Sequence, residues 1–278
     1  MPVEIVMNHA TFRKAWRFDA FVEACAAAGM RRVSIWGNEV AEIGLNAARA
    51  RLRDSGMRAF GYNRAGPLLA GDPARRAELM AAAKAEIETG ASLGADHILL
   101  FPGGLPGGPK GLAASRSQTA DACAILNDHA GNCGIALALE PLHPMLAGDR
   151  TSLCTLSEAN QLCDRLGGNA GIVIDSYHVW WDAELEAQTA LAGSRGRILG
   201  FHVNDWLIPT RDMVTDRGMM GDGVIDLAGL WATLVRAGYD GPVEVEIFSE
   251  HWWARDPNEV LALALDRCAA IFSDEAAR

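Results

Sequence analysis

The strongest constraint on this chain is an alternation of strand and helix signals that runs through its 278 residues. Short β-rich runs occur at Val3–Met7, Arg32–Trp36, Met57–Tyr62, Asp96–Phe101, Ile135–Glu140, Gly171–Asp175, Ile198–Asn204 and Val243–Phe248. Each is followed by a stretch with helical spacing: Phe18–Ala28, Val40–Asp54, Pro73–Leu93, Ala113–Asn132, Leu156–Leu166, Glu184–Ala192, Leu227–Ala237 and Pro257–Phe272. Gly29 suits a C-cap, and Asp72-Pro73 suits an N-cap with proline at the first helical position. Eight strand–helix pairs with mostly short connections predict a parallel (β/α)8 TIM barrel, one α/β domain over residues 1–278. The alternative is an open doubly wound sheet, but no G-x-G-x-x-G follows the first strand.

Composition narrows the partners. A net charge of −10 argues against nucleic acid, and the arginines sit in short scattered groups such as Arg31-Arg32 and Arg75-Arg76. No apolar run approaches the roughly 20 residues of a membrane span. The opening MPVEIVMNHA lacks a basic leader and a long apolar segment, so a cytoplasmic protein is expected. The six cysteines form no C-x-x-C pair and are expected to be reduced thiols.

In a barrel of this kind the functional site lies at the C-terminal ends of the strands. The stretch Ile135–Pro144, IALALEPLHP, places Glu140 at the end of a buried apolar strand stopped by Pro141. A carboxylate there is costly unless a cation meets it. Asp175, His202 and Glu246 close the next three strands, so four side chains can converge. Three carboxylates and an imidazole suit one divalent ion: Mn2+ is expected, with Mg2+, Co2+ or Zn2+ as alternatives. Glu244 shares a strand face with Glu246, so one of the two is open to a purely ion-pairing role.

This order of ligands resembles the xylose-isomerase-like barrel superfamily of sugar phosphate isomerases and epimerases, and within it the ketose 3-epimerases. The resemblance implies metal ligation by Glu140, Asp175, His202 and Glu246, with Glu140 and Glu246 also acting as the catalytic acid–base pair. It implies substrate contacts from His178 in D-x-x-H (Asp175–His178) and from Arg217 in R-G-x-x-G-x-G (Arg217–Gly223). The implied reaction removes a proton next to the carbonyl of a keto sugar, through an enediolate stabilised by the metal. The endonuclease-IV-like branch is disfavoured, because the second and third strands end in Trp36-Gly37 and Tyr62-Asn63 rather than in histidines.

One position departs from the epimerase pattern. Where those enzymes carry Asn after E-P-L, this chain has His143, an additional candidate acid or base. The strings EPLHP, DSYHVWWD and VEVEIFSE also resemble the large subunits of C-glycoside deglycosidases. That likeness implies a lyase acting on 3-keto glycosides, with His143 as base and a small β-rich partner subunit. A homo-oligomer is expected in either case. Trp180, Trp181, Trp206, Trp252 and Trp253 suit a sugar or aryl face near the site, or core packing. The stretch PGGLPGGPKG suits a mobile lid as well as a phosphate cradle, and leaves open whether the substrate carries a phosphate.

Overall fold

The alternation of side chains along each short strand decides how this chain closes. In the computed structural model, which describes residues 3–106 and 111–272, eight parallel strands form a closed barrel in the order β1-β10-β7-β6-β5-β4-β3-β2. They are β1 (Ile5–Asn8), β2 (Arg32–Trp36), β3 (Arg58–Ala65), β4 (His97–Leu100), β5 (Ala136–Leu139), β6 (Ala170–Asp175), β7 (Ile198–Val203) and β10 (Val243–Val245). The expected (β/α)8 barrel is therefore the fold adopted. Two further strands, β8 (Asp205–Trp206) and β9 (Arg217–Gly218), pair antiparallel as a small ribbon in the long connection after β7.

Residues of odd and even parity on these strands meet different surroundings. Leu137, Leu139, Ile172, Ile174, Phe201, Val203, Val243 and Val245 belong to the main core between strands and helices. Phe201 packs there against Trp231 and Phe272, with ring centroids 6.1 and 6.0 Å away. Burying each such side chain contributes about 1.5–3 kcal/mol. The opposite parity faces the barrel interior, where Leu99, Ala138 and Val173 cluster, joined by Leu199 at the register shift between β6 and β7. Two residues past Ala138 is Glu140, and two past Val173 is Asp175. The period of two thus carries the interior face from apolar filling straight into the site.

Helices α1 (Phe18–Ala27), α4 (Pro73–Ser92), α5 (Leu112–Cys133), α6 (Leu156–Leu166), α8 (Leu185–Ser194), α9 (Leu227–Arg236) and α11 (Pro257–Ile271) occupy predicted helical stretches. The expected helix over Val40–Asp54 is instead two, α2 (Gly37–Ile43) and α3 (Leu45–Asp54). Gly44 separates them at φ +85°, a conformation open to glycine and strained for other residues. Two single-turn helices, α7 (Ser176–Val179) and α10 (Glu250–Trp253), follow β6 and β10 at the catalytic end. Residues 107–110 of the expected lid stretch lie outside the described residues. All six cysteines are free thiols, and no described helix is long and apolar enough to cross a membrane.

At the opposite end, Arg32 ties three strand starts together. Its Nε and Nη2 donate to the two oxygens of Glu4 at 3.0 and 2.5 Å, and Nη1 donates to Asp96 at 3.0 Å. The hydrogen bonds from Arg32 hold the Glu4 carboxyl below its usual 4.5, against the opposing effect of burial. A carboxyl depressed in the folded state stabilises above its unfolded value, and that contribution disappears as pH falls through the folded value. The pair is partly solvated, so its worth is about 1 kcal/mol or less. Glu4→Gln is therefore expected to lower Tm by about 1–3 °C at pH 7. Wild-type and variant melting curves, followed by circular dichroism, should converge as pH falls from the ordinary 4.5 through the lower folded value.

Candidate metal centre and active site

The barrel brings together the four residues that end its consecutive strands. Glu140 follows β5, Asp175 ends β6, His202 is the penultimate residue of β7, and Glu246 follows β10. The register sets Asp175 beside His202, and His202 beside Glu244. One ligand atom from each of Glu140, Asp175, His202 and Glu246 lies within 4.8 Å of the others, and all four residues are buried. His202 Nδ1 faces Glu140 Oε1 at 3.1 Å and Glu246 Oε2 at 3.7 Å. Neither Nδ1 nor Glu140 Oε1 makes a well-directed hydrogen bond, so two buried lone-pair atoms are orphaned side by side. Oxygen donors with one imidazole are the chemistry of a hard or borderline divalent ion, and the residues present fit one.

Glu244 resolves the ambiguity between the two glutamates of β10. It lies one layer below the cluster, fully buried, with Oε2 3.3 Å from His202 Nε2. Asn8 Nδ2 donates to Glu244 Oε1 at 2.7 Å and to Glu246 Oε1 at 3.0 Å. A carboxylate on Nε2 keeps a proton there and leaves Nδ1 free to ligate, as in carboxylate–histidine–metal arrangements. Glu246 is the ligand candidate, and Glu244 orients the histidine.

Burial dominates the electrostatics. It raises the Glu140 carboxyl despite His202 nearby, and pushes Glu246 up to about 7 against the pull of His202 and Arg217. Burial would also raise Asp175 and Glu244, but Arg217, His178 and His202 hold Asp175 below its usual value, and His202 does the same for Glu244. Burial disfavours a charged His202, yet Glu244 and Glu246 hold it well above an ordinary histidine. Four carboxyl groups share one imidazole and one guanidinium here, and the raised Glu140 and Glu246 show that positive charge is short, a deficit that a divalent ion fits.

Arg217 and His178 lie against the cluster. Arg217 Nη1 donates to Asp175 Oδ2 at 3.0 Å and Glu246 Oε2 at 3.1 Å, while its Nε is buried without an acceptor. Its loop is organised by Asp205, whose carboxylate accepts the backbone N–H groups of Gly221, Gly223 and Ile225 at 2.9, 2.9 and 3.1 Å. A Cβ on Gly223 would stand 2.4 Å from Asp205 Oδ1, and Gly221 sits at φ +89°. Both glycines are therefore needed for the loop that delivers Arg217.

His178 is buried, and burial lowers it to about 3, so it is neutral. Its Nδ1 faces the backbone N–H of His143 at 3.1 Å, and its Nε2 faces Arg217 Nη2, which can only donate, at 3.3 Å. His143 itself stands back. Its Nδ1 accepts from Met145 N at 3.1 Å, and its ring stacks on Trp206 at 4.8 Å and meets Trp181 edge-on at 5.6 Å. Burial lowers its pKa.

A cavity of about 260 Å³ opens over the cluster, lined by Glu140, Glu246, His178 and Arg217 but not by His143. Of the tryptophans singled out in the sequence, only Trp253 lines it. Trp36, Phe101 and Phe248, together with Arg13, Arg64 and Arg150, complete the wall. These lie on loops and strand ends where no motif marks them.

A parallel barrel with a buried Glu-Asp-His-Glu cluster at its catalytic mouth is built like the sugar isomerases and epimerases. The sequence matches the xylose isomerase-like TIM barrel family over residues 22–270, and the chain belongs to that family. It is 27% identical over 155 residues to the ketose 3-epimerase of Arthrobacter globiformis, covering 54% of this chain and 48% of that protein. The aligned stretch thus spans about half the length of that relative. The crystal structure of protein SMc04130 from Sinorhizobium meliloti 1021 is similar at a TM-score of 0.94 and 42% identity, over 96% of this chain and 98% of that one. The IolI protein, solved with a bound zinc atom, shares the fold at a TM-score of 0.84 and 20% identity, over 97% of this chain and 98% of that one.

One equivalent of Mn2+ is expected to bind by calorimetry, and a hundredfold excess over Kd should stabilise by about 2.7 kcal/mol, visible as a raised Tm. Glu244→Gln is expected to weaken Mn2+ about 10–100-fold while keeping the stoichiometry at one. Unchanged affinity would remove the orienting role given to Glu244.

Proposed function

We propose that this protein isomerises or epimerises a keto sugar by moving a proton at the carbon next to the carbonyl. The observation that carries the proposal is the placement of Glu140 and Glu246 at the outer ends of the four-residue arc, both lining one cavity. Glu140, Asp175, His202 and Glu246 would hold the divalent ion. When bound, that ion supplies Lewis-acid polarisation of a ketone oxygen and makes the neighbouring C–H more acidic.

The remaining work belongs to the side chains. One of the two glutamates takes the proton from carbon and the other returns it, on the same or the opposite face. Arg217 keeps Glu246 and Asp175 in place and offers its free Nε toward a hydroxyl. Neutral His178, held between the His143 backbone and Arg217, lines the cavity where a hydroxyl of the sugar would lie. The cavity volume of about 260 Å³ equals roughly nine waters, a size suited to one small sugar.

The lyase reading draws less support, because His143 does not line the cavity and has its Nδ1 engaged by Met145. Its contact with His178 makes it a positioning residue under the isomerase reading.

Solvent deuterium exchange into a ketose with Mn2+ present tests the proposal. Glu246→Gln and Glu140→Gln are each expected to slow exchange about 10²–10⁴-fold. Exchange that persists at wild-type rate in both variants overturns the assignment. Release of an aglycone from a 3-keto glycoside, abolished by His143→Ala, would support the lyase instead.

A further inference from the structure

The proposed reaction accounts for the floor of the cavity but leaves its upper wall unexplained. Three arginines line that wall in a chain of net charge −10: Arg13 after β1, Arg64 near the end of β3, and Arg150 on the exposed loop after β5. Among the described residues no carboxylate pairs with any of them, although most other arginines of the chain have such a partner.

Aromatic faces hold two of them instead. The Arg13 guanidinium carbon lies 4.6 Å from the centroid of Phe248 and 4.7 Å from that of Trp36. Arg64 lies on the same Trp36 at 5.6 Å and on Phe101 at 3.8 Å. Arg217 uses the same Phe248 at 4.8 Å. The result is a ladder of alternating cations and rings running from the carboxylate cluster up the wall.

A ring contacts the flat face of a guanidinium and leaves its rim of N–H donors unspent. Arg13 Nε and Nη2 are buried with no acceptor. The carboxylates with most influence on Arg13 are engaged elsewhere: Glu39 with His9 and Asn38, and Glu246 with Arg217 and Asn8. Burial lowers the pKa of Arg64, and repulsion from Arg150 and Arg13 adds to it. Buried donors without acceptors, beside other cations, are costly unless a ligand meets them.

We infer that the substrate carries an oxyanion group, a carboxylate or a phosphate ester, which Arg13, Arg64 and Arg150 bind while its carbonyl end meets the carboxylate cluster. Planar guanidinium forks match either group in bidentate fashion. The floor and the arginine wall bound one cavity, so a single small molecule reaches both. The inference deepens the isomerase reading and rests on it only for the carbonyl end.

The test has two arms on the Mn2+-loaded full chain. Calorimetry with inorganic phosphate and with glycolate reads the anion site alone, and a repeat without Mn2+ separates binding at the ion. Deuterium exchange compares D-fructose, D-fructose 6-phosphate and a ketohexuronate. At least one charged ketose should have a KM tenfold or more below that of D-fructose. Arg13→Met and Arg64→Met should shrink that ratio tenfold or more, Arg64→Lys should retain part of it, and Arg150→Ala, at an exposed position, should give a smaller loss without burdening folding.

A preference for phosphate assigns an ester, and a preference for glycolate and the uronate assigns a carboxylate. Anion binding that the variants abolish, without exchange in any ketose, upholds the anion site and overturns the reaction. Exchange with equal KM for charged and neutral ketoses, and no arginine-dependent anion binding, upholds the reaction and overturns the anion site.

Discussion

The burial of four carboxylates around one imidazole sets the terms for everything at the catalytic mouth of this barrel. Glu140, Asp175, Glu244 and Glu246 are removed from water by strands packed on both faces, where isolated charges are costly. No single partner meets that cost. His202 is shared between Glu244 on one nitrogen and Glu140 and Glu246 on the other. Arg217 bridges Asp175 and Glu246, Asn8 bridges Glu244 and Glu246, and Asn204 donates to Asp175 at 3.1 Å. Arg217 and Asn8 each serve two acids, and His202 faces three. The arrangement is short of positive charge, which distinguishes a site built to receive a cation from a closed structural network.

The arginines show the same economy in reverse. At the closed end, Arg32 spends its donors on Glu4 and Asp96 and fastens strand starts. At the open end, Arg13 and Arg64 are fixed by Trp36, Phe101 and Phe248, which immobilise the guanidinium without consuming its hydrogen-bonding edge. Arg32 also lies over a ring, Phe60 at 4.8 Å, so the difference is that carboxylates consume its donor edge whereas no carboxylate among the described residues pairs with Arg13 or Arg64. The rings at the mouth therefore need no stacking role toward a sugar to explain their presence.

Much of this was legible in the sequence, for a definite reason. Strand parity and a proline stop were enough to mark Glu140, and the repeated strand–helix alternation put Asp175, His202 and Glu246 at equivalent heights. Parity alone could not separate Glu244 from Glu246, since both share one face. The parallel register that seats His202 opposite Glu244 decides it. The direction of His143 is hidden for a similar reason: a Pro-flanked loop gives position along the chain but not direction, and the ring lies against Trp206 and Trp181. The break at Gly44 was hidden because the residues on either side are good helix formers. Arg13 and Arg64 carried no signal at all, because their role depends on rings contributed by β2, the loop after β4 and the segment after β10.

The R-G-x-x-G-x-G string shows how a motif becomes a physical statement once its partner is known. Its glycines do not touch the cavity. They exist because Asp205, which opens the ribbon strand β8 just past barrel strand β7, gathers the N–H groups of Gly221, Gly223 and Ile225 onto one carboxylate. Three converging N–H groups need a tight turn and the absence of a Cβ at Gly223. The pairing of β8 with β9 then fixes where the turn begins, and what stands at its beginning is Arg217. The motif is thus a device for presenting one guanidinium to Asp175 and Glu246 from outside the barrel wall. That is why an arginine so far along the chain from either acid sits within 3.1 Å of both.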